Sequence, residues 1–436
     1  MTMSTGNGAR LPQWRLLAIG VTAALALAAC GSDSSGDSAD SAEAKSITFW
    51  LSASDAQAAG YTELAKDFQA KEGISVEIVN VPYDGYKPKL KQAAQANALP
   101  DVGSVAAVDP LWINQLQELD SIATAPANHL NQDLLIKNKA GKVVAIPSDV
   151  TAAGLFINKS LFDKAGVAYP TDPTKTWTWD EFLSKTDEVR TKTKAKYDLV
   201  YDNSPARIRA FVYNHGGKGF QLGADQKYTA PDDVTVQALS SFAKMNNDVV
   251  MPKSVWTSGA DPNALFKSGQ VVAYFSGVWQ VADFADSITS FKWASAPTPA
   301  QPVHATDLNL GGQVVAFNND GKASAAKKFV DFLFQPVNYT KVAQTNGYLP
   351  VESGLTLKYP FEQEAALDAF ALYNKEIELA DPISSSATQA NQKLVVDGKS
   401  IVDDPTKVEM AKLINGQQDV NKTVANIVSG LNQQLG

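Results

Sequence analysis

Apolar positions from residue 46 onward follow the strand period and the helix period in turn. The short apolar run at residues 47–50 predicts a buried strand. The next apolar positions recur with the spacing of a helix that buries one stripe, and they are Tyr61, Leu64, Ala65 and Phe68. Gly73 is expected to end this helix, and alternation at residues 74–78 predicts a second strand. A strand, a helix and a strand in this order predict a parallel crossover unit.

The same alternation resumes later, which predicts a second α/β unit. Residues 155–157 predict a buried strand, and Thr178 with Glu181 three residues later forms the capping box that opens a helix. Three further segments repeat one of the two patterns: strand-like 271–275 and 313–317, and one helical face within 326–333. The sequence has no internal repeat at a fixed period.

The beginning of the chain has the pattern of an export signal. Arg10 and Arg15 precede an apolar run at residues 16–29, and its 14 residues are too few to span a bilayer of about 30 Å. The run closes on Leu-Ala-Ala at residues 27–29, directly before Cys30, the only cysteine. This ending resembles the bacterial lipoprotein signal, which implies that residues 1–29 are removed and that Cys30 is acylated. A plain signal peptide with a chance cysteine is the alternative.

Residues 30–45 are expected to form a flexible tether behind that anchor. Ser, Asp, Gly and Ala make up nearly all of this stretch, which has no aromatic or β-branched residue and cannot bury enough surface to fold. Anchorage by two or more acyl chains is stable where one chain is marginal. The protein is therefore expected on the outer face of the cytoplasmic membrane, facing the extracellular or periplasmic side.

Length and charge narrow the possible classes of protein. Of 436 residues, 407 remain after removal of the signal, which is too many for one compact core and suits two lobes. The 38 Lys and Arg residues against 46 Asp and Glu residues give a net charge of −8. Without a basic cluster to follow a phosphate backbone, nucleic acid is not an expected partner. A single cysteine leaves no disulfide within the chain, so stability must come from the hydrophobic cores.

Residues 145–182 carry the most specific set of motifs. They are Ala-Ile-Pro at 145–147, Gly-Leu-Phe-Ile-Asn-Lys-Ser-Leu-Phe at 154–162, Lys-Ala-Gly at 164–166 and Thr-Trp-Thr-Trp-Asp-Glu-Phe at 176–182. Weaker motifs follow the same family order at 99–102, 277–279, 296–299, 311–312, 326–333 and 345–350. The whole resembles the sugar-binding family of extracellular solute-binding proteins of ABC importers. Ile157 stands where the family usually has tyrosine.

This resemblance implies an α/β fold with two lobes, the type II-like periplasmic-binding-protein fold. Each lobe is expected to hold a mixed, mostly parallel sheet flanked by helices, with hinge strands between the lobes. The expected bounds are residues 46–148 with about 298–345 for lobe 1, and 149–297 with about 346–436 for lobe 2. The implied function is that a monomer captures a sugar or oligosaccharide between the lobes and delivers it to the membrane permease, without a cofactor.

Aromatic side chains are the first candidates for ligand contact, because flat rings cover the C–H faces of a pyranose. Trp279 follows a strand and a glycine, at the position where the family stacks a ring on its ligand. Trp50 ends the first predicted strand, and Tyr348 lies between Gly347 and a Leu-Pro pair. For both tryptophans the alternative is a place in the hydrophobic core.

Polar candidates are expected to bond the hydroxyl groups of a sugar. They are Asp55, Asp109, Asp149, Arg207 and Gly312. The alternatives are a helix cap for Asp55, a turn for Asp109, a surface loop for Asp149 and a solvated side chain for Arg207.

Two other classes of function stay open on the sequence alone. The same fold could bind a polyamine, a metal chelate or an anion. An exported carbohydrate-active enzyme would need two carboxylates flanking a bond, which a sequence cannot reveal. No Gly-x-Ser-x-Gly motif occurs, and the three histidines, His129, His215 and His304, lack metal-ligand spacing, so neither an enzyme nor a metal site is expected.

Overall fold

The structure, a computed structural model, describes residues 44–53, 55–300, 302–352 and 354–436. The predicted signal peptide, Cys30 and all but the last two residues of the predicted tether lie outside the described residues. Within these ranges no helix is both long and apolar enough to cross a membrane.

Two sheets organise the described residues. The strands, in chain order, are β1 (Ser46–Leu51), β2 (Ser75–Asn80), β3 (Val102–Val105), β4 (Ile136–Lys137), β5 (Val143–Pro147), β6 (Val150–Ile157), β7 (Tyr197–Tyr201), β8 (Val271–Gly277), β9 (Ala294–Ala296), β10 (Leu308–Leu310) and β11 (Gln313–Ala316). The first sheet has the order β2-β1-β3-β11-β5-β4. The second has the order β10-β6-β8-β7, with β9 also paired to β6.

Helices cover the sheets. They are α1 (Asp55–Glu72), α2 (Tyr83–Gln95), α3 (Asp120–Ala123), α4 (Lys159–Ala165), α5 (Trp179–Thr193), α6 (Pro205–Asn214), α7 (Asp233–Met245), α8 (Ser254–Thr257), α9 (Pro262–Lys267), α10 (Gln280–Ser287), α11 (Ala323–Leu333), α12 (Pro336–Asn346), α13 (Glu364–Leu379), α14 (Ser386–Val396), α15 (Thr406–Ile414) and α16 (Val420–Gln433). The mixed α/β class expected from the sequence is confirmed.

The first predicted unit forms as the periodicity indicates. β1 and β2 pair in parallel, with Phe49 opposite Ile78, and α1 connects them. Phe49 and Phe68 are both fully buried, and each packs its ring against Phe329 of α11. Gly73 ends α1 with a φ of +69°, a left-handed conformation that favours glycine.

The second predicted unit begins with the expected helix start. Glu181 donates its backbone N–H to Thr178 Oγ1 at 3.1 Å, and the Glu181 carboxylate accepts from the Thr178 backbone N–H at 2.8 Å. This reciprocal capping box opens α5. The helix buries Phe182 and Val189 against the core of the second sheet.

The sheets are less parallel than the sequence predicted. Among the strands described, β1–β2, β1–β3 and β7–β8 pair in parallel, whereas six other pairs are antiparallel. The expectation of mostly parallel sheets was therefore wrong in this detail. Five of the six antiparallel pairs involve β11 or β6, which begin directly after the chain has crossed between the sheets and therefore run against the strands that end at that edge. The sixth pair, β4–β5, joins two strands that are consecutive in the chain.

Short segments connect the two sheets side by side. The backbone N–H of Ser148 donates to the Gly312 carbonyl at 2.7 Å, and that of Gly311 donates to the Asp149 carbonyl at 2.8 Å. A third connection lies beside them, where Val150 N–H donates to the Leu349 carbonyl at 3.1 Å. We call residues 148–149, 311–312 and 349 the crossing segments. Because β10 pairs with β6, residues 308–310 lie on the second sheet.

Candidate ligand-binding cleft

The register of the strands shows which edges of the two sheets meet at the crossing segments. Val105, the last residue of β3, pairs with Gln313, the first residue of β11, and Gln313 directly follows a crossing segment. The carboxyl ends of β3 and of the parallel β1 and β2 therefore point to the crossing. In the second sheet Gly277, the last residue of β8, pairs with Ala153 near the start of β6. The ends of β7 and β8 point to the same place, where ligands of α/β sheets typically bind.

Trp279 lies at this edge, immediately before α10. Its side chain is partly buried against the second core. The indole ring covers Gly277 so closely that a Cβ atom at residue 277 would lie 2.1 Å from the ring. Glycine is therefore required at residue 277, because any side chain would displace the ring.

Arg207 packs on the same indole. The central carbon of its guanidinium group lies 4.6 Å from the centroid of the Trp279 ring, which is a cation–π contact. Nη1 donates to the Ser276 carbonyl at 3.0 Å, and the residue is only 5 % exposed. The structure thus brings together two of the predicted residues, and Arg207 is not the solvated surface arginine of the alternative. Its Nε is buried without a hydrogen-bond partner.

Asp202, which the sequence analysis missed, anchors a polar network beside this pair. Its carboxylate accepts from Tyr274 Oη and from Ser276 Oγ, the latter at 2.6 Å. Gln280 Nε2 donates to Ser276 Oγ at 3.2 Å. Burial raises the pKa of Asp202, and the charge of Arg207 offsets only part of that effect. The sequence feature that could have pointed to Asp202 is its position directly after the buried strand β7.

Asp149 belongs to the crossing segments themselves. The residue is 6 % exposed, and its Oδ1 accepts from Ser148 Oγ at 2.9 Å and from Gly312 N–H at 3.1 Å. Burial raises its pKa to about 6. A Cβ at Gly311 would lie 2.0 Å from the same carboxylate oxygen, so the glycine allows this close approach. Asp149 is therefore buried, not in the surface loop that was its alternative.

Tyr348 is also close to the crossing, but its ring is largely enclosed. The residue is 8 % exposed, and its ring centroid lies 6.2 Å from that of Tyr61 in the first core. Its carbonyl accepts from Tyr359 Oη at 2.5 Å. This packing favours a structural role over direct stacking on a ligand.

Trp50, Asp55 and Asp109 lie at or after the carboxyl ends of β1 and β3. The ring of Trp50 is half-buried, with Lys89 Nζ 4.2 Å from its centroid. Asp55 is exposed in the first turn of α1. Asp109 Oδ1 accepts from Leu111 N–H at 2.8 Å, the turn contact named as its alternative. Tyr83, the first residue of α2, is 75 % exposed and was not predicted.

A pocket that opens to solvent lies beside the crossing segments. The loop after β3 lines one side, at residues 106–108, and α14 lines the other. Amide side chains dominate its polar lining: Asn309, Gln313, Asn391 and Gln392. No motif points to α14, whose residues lie far from β3 along the chain. Among the described residues, no group of three or more His, Cys, Asp or Glu could hold a metal.

This chain belongs to the bacterial extracellular solute-binding protein family, whose model matches residues 63–371. The family match agrees with the presence of two sheets that are joined by the crossing segments.

Named relatives are similar over most of the chain. The melibiose/raffinose/stachyose-binding protein MelE of Bacillus subtilis is 26% identical over 357 residues, which are 76% of this chain and 79% of the relative. The diacetylchitobiose binding protein DasA of Streptomyces coelicolor is 24% identical over 377 residues, 81% of this chain and 86% of the relative. A maltooligosaccharide ABC transporter solute-binding lipoprotein of Streptococcus pneumoniae is 25% identical over 447 residues, 94% of each.

Solved structures share the fold. An ABC substrate-binding protein from Listeria monocytogenes in complex with cycloalternan superposes with a TM-score of 0.74 at 21% identity, covering 90% of this chain and all of that one. Maltose-bound MalE3 of T. maritima superposes with a TM-score of 0.68 at 19% identity, covering 88% and 98%. At these identities the likeness concerns the fold.

Proposed function

We propose that this protein binds a sugar or oligosaccharide in the cleft between its two sheets and delivers it to the permease of an ABC importer. The observation that carries the proposal is the indole of Trp279, held at the cleft edge between Gly277 and Arg207. An apolar ring beside buried hydrogen-bonding groups is the combination that a sugar needs. The named relatives, which bind melibiose, diacetylchitobiose or maltooligosaccharides, support this ligand class.

Each predicted residue has a role in this proposal. Trp279 and Trp50 would contact the ligand with the ring surface that Arg207 and Lys89 leave uncovered. Arg207, Asp55 and Asp109 would bond its hydroxyl groups. Asp149, Gly312 and Tyr348 act indirectly, by setting how the crossing segments bend. The amide groups of Asn391 and Gln392 line a further pocket beside the crossing segments, which supports a ligand larger than one sugar ring.

We further propose that the two sheets mark two lobes that close on the ligand. The pairing of β10 with β6 supports moving the predicted boundary near residue 298 to residue 311. Ligand drives closure only if it contacts both lobes in the closed state. The protein acts as a monomer in this scheme, and the reading as an enzyme is not proposed, since the family consists of binding proteins.

The anchor at Cys30 completes the proposal. An acylated cysteine followed by a tether of about 15 residues would hold the lobes at the outer face of the cytoplasmic membrane. A relative of similar length is itself named a solute-binding lipoprotein.

A thermal-shift screen tests the ligand class. A ligand at 100 times its dissociation constant stabilises the folded state by about 2.7 kcal/mol, which raises the melting temperature by several degrees. We expect a rise with at least one sugar of a panel that spans mono- to oligosaccharides. Polyamines, metal chelates and small anions form the other arms of the screen. A response confined to those arms would reject the sugar proposal.

A further inference from the structure

A small cavity lies inside the core of the second sheet, between β6, β9 and α13. It is separate from the cleft, and it has room for roughly one water molecule. The strand residues Gly154 and Ser295 line one side, and Tyr373 and Glu376 of α13 line the other.

Four buried polar atoms on its walls have no hydrogen-bond partner. They are Ser295 Oγ, Thr298 Oγ1, Tyr373 Oη and Glu376 Oε2. Thr298, Tyr373 and Glu376 are 5 %, 2 % and 3 % exposed. Buried polar atoms are nearly always hydrogen-bonded, because an unpaired one has lost its hydration without compensation. Four such atoms around one cavity, from two segments of the chain, point to a shared partner.

The chemistry of the walls identifies that partner. Glu376 Oε1 already accepts from the Thr298 backbone N–H at 3.3 Å, which leaves Oε2 as an acceptor. His304 Nε2 lies 3.2 Å from Oε2, but without the alignment of a hydrogen bond. The three hydroxyl groups can each donate or accept. A water molecule can donate to the carboxylate and accept from a hydroxyl, whereas a cation would meet only one carboxylate here.

We propose that this cavity binds one water molecule, which bridges α13 to Ser295 of β9 and to Thr298. By holding Tyr373, the water would also support β6 and, through it, β8, whose Ser276 carbonyl accepts from Arg207. Tyr373 Oη packs against Gly154 so closely that a Cβ there would lie 2.1 Å away. Gly154 in turn pairs with Ser276, whose carbonyl accepts from Arg207. The inference does not depend on the identity of the ligand in the cleft.

Removal of one hydroxyl tests the proposal by the sign of the effect. If the water bonds Tyr373 Oη, Tyr373→Phe should raise the unfolding equilibrium constant by about threefold to tenfold. If the hydroxyl has no partner, the same change should leave the constant unchanged or lower it. Thr298→Val should behave in the same way. Tyr213→Phe is the matched calibrator, because Tyr213 Oη lies 3.0 Å from Ser386 Oγ in a direct hydrogen bond.

A crystal structure of the unsubstituted protein decides between water and the alternatives. We expect a density peak at hydrogen-bond distances, about 2.6 to 3.2 Å, from Glu376 Oε2 and at least two of the hydroxyl oxygens. A peak at about 2.3 to 2.6 Å from several oxygens would indicate a cation and overturn the proposal. Direct hydrogen bonds between the wall residues, with no peak, would overturn it as well.

Discussion

At the scale of single residues, the buried carboxyl group of Asp149 in the crossing segments makes the stability of the fold depend on pH. Its carboxylate is buried and accepts hydrogen bonds from two uncharged donors, Ser148 Oγ and Gly312 N–H, and burial raises its pKa to about 6. A raised carboxyl pKa means that the folded state binds the proton more tightly than the unfolded state does. This group therefore favours folding at low pH, and the benefit is lost as pH rises from about 4 to about 6.

Asp149→Asn should remove this pH dependence. From pH 4 to pH 7 the unfolding free energy of the variant should rise relative to that of the parent by roughly 2 kcal/mol. Urea unfolding across that range measures it. Glu352→Gln is the control, because burial raises the pKa of Glu352 to about 7 and its change should extend to higher pH. A difference for Asp149→Asn that does not vary with pH would contradict the assignment.

Gly311 should tolerate no side chain. A Cβ there would lie 2.0 Å from Asp149 Oδ1, so Gly311→Ala should cost about 1 to 3 kcal/mol of unfolding free energy. Gly85→Ala is the matched control, because a Cβ in that helix meets nothing within 4 Å. That change should stabilise by about 0.5 to 1 kcal/mol. Equal effects at both glycines would show that the contact with Asp149 carries no strain.

At the scale of elements, the capping box at the start of α5 offers a local test. Thr178→Ala removes the oxygen that accepts from Glu181 N–H, so it should cost about 0.5 to 2 kcal/mol of unfolding free energy. Thr62→Ala is the control, since Thr62 lies on the exposed face of α1 and bonds only the Ala58 carbonyl four residues earlier. A loss at residue 62 as large as that at residue 178 would contradict the assignment of the cap.

Elements that depend on local sequence were predictable, whereas contacts between distant segments were not. The α1 stripe, its stop at Gly73 and the Thr178 cap need only a few neighbouring residues, and all three are confirmed. The stacking of Arg207 on Trp279 joins residues from separate elements, so the sequence could nominate each but not their contact. Likewise, Asp149 is buried by Gly311 and Gly312 from another crossing segment.

At the scale of the whole molecule, closure of the lobes on the ligand and attachment to the membrane can be measured separately. Ligand should close the lobes about the crossing segments, so small-angle scattering should give a smaller radius of gyration at saturation. Gly85→Ala, which lies away from these segments, should close in the same way. An unchanged scattering profile at saturation would indicate a rigid cleft.

The anchor makes a prediction about the full-length chain in cells. Cys30→Ser removes the thiol that the lipid would modify, so the protein should move from the membrane fraction to the soluble exported fraction. Ser32→Ala, two residues into the tether, should leave the fractionation unchanged. Membrane association that persists in Cys30→Ser would reject the lipid anchor.

The most direct test of the central claim is calorimetric titration of Trp279→Ala with the sugar that gives the largest thermal shift. If the indole stacks on the ligand, the loss of about 1 to 3 kcal/mol of contact should weaken affinity roughly tenfold to more than a hundredfold. Trp177→Ala is the matched control, because its partly buried ring packs among Phe162 and Phe182, away from the cleft. That variant should lose stability and keep its affinity. Unchanged affinity in Trp279→Ala, with a large loss of stability, would contradict the account.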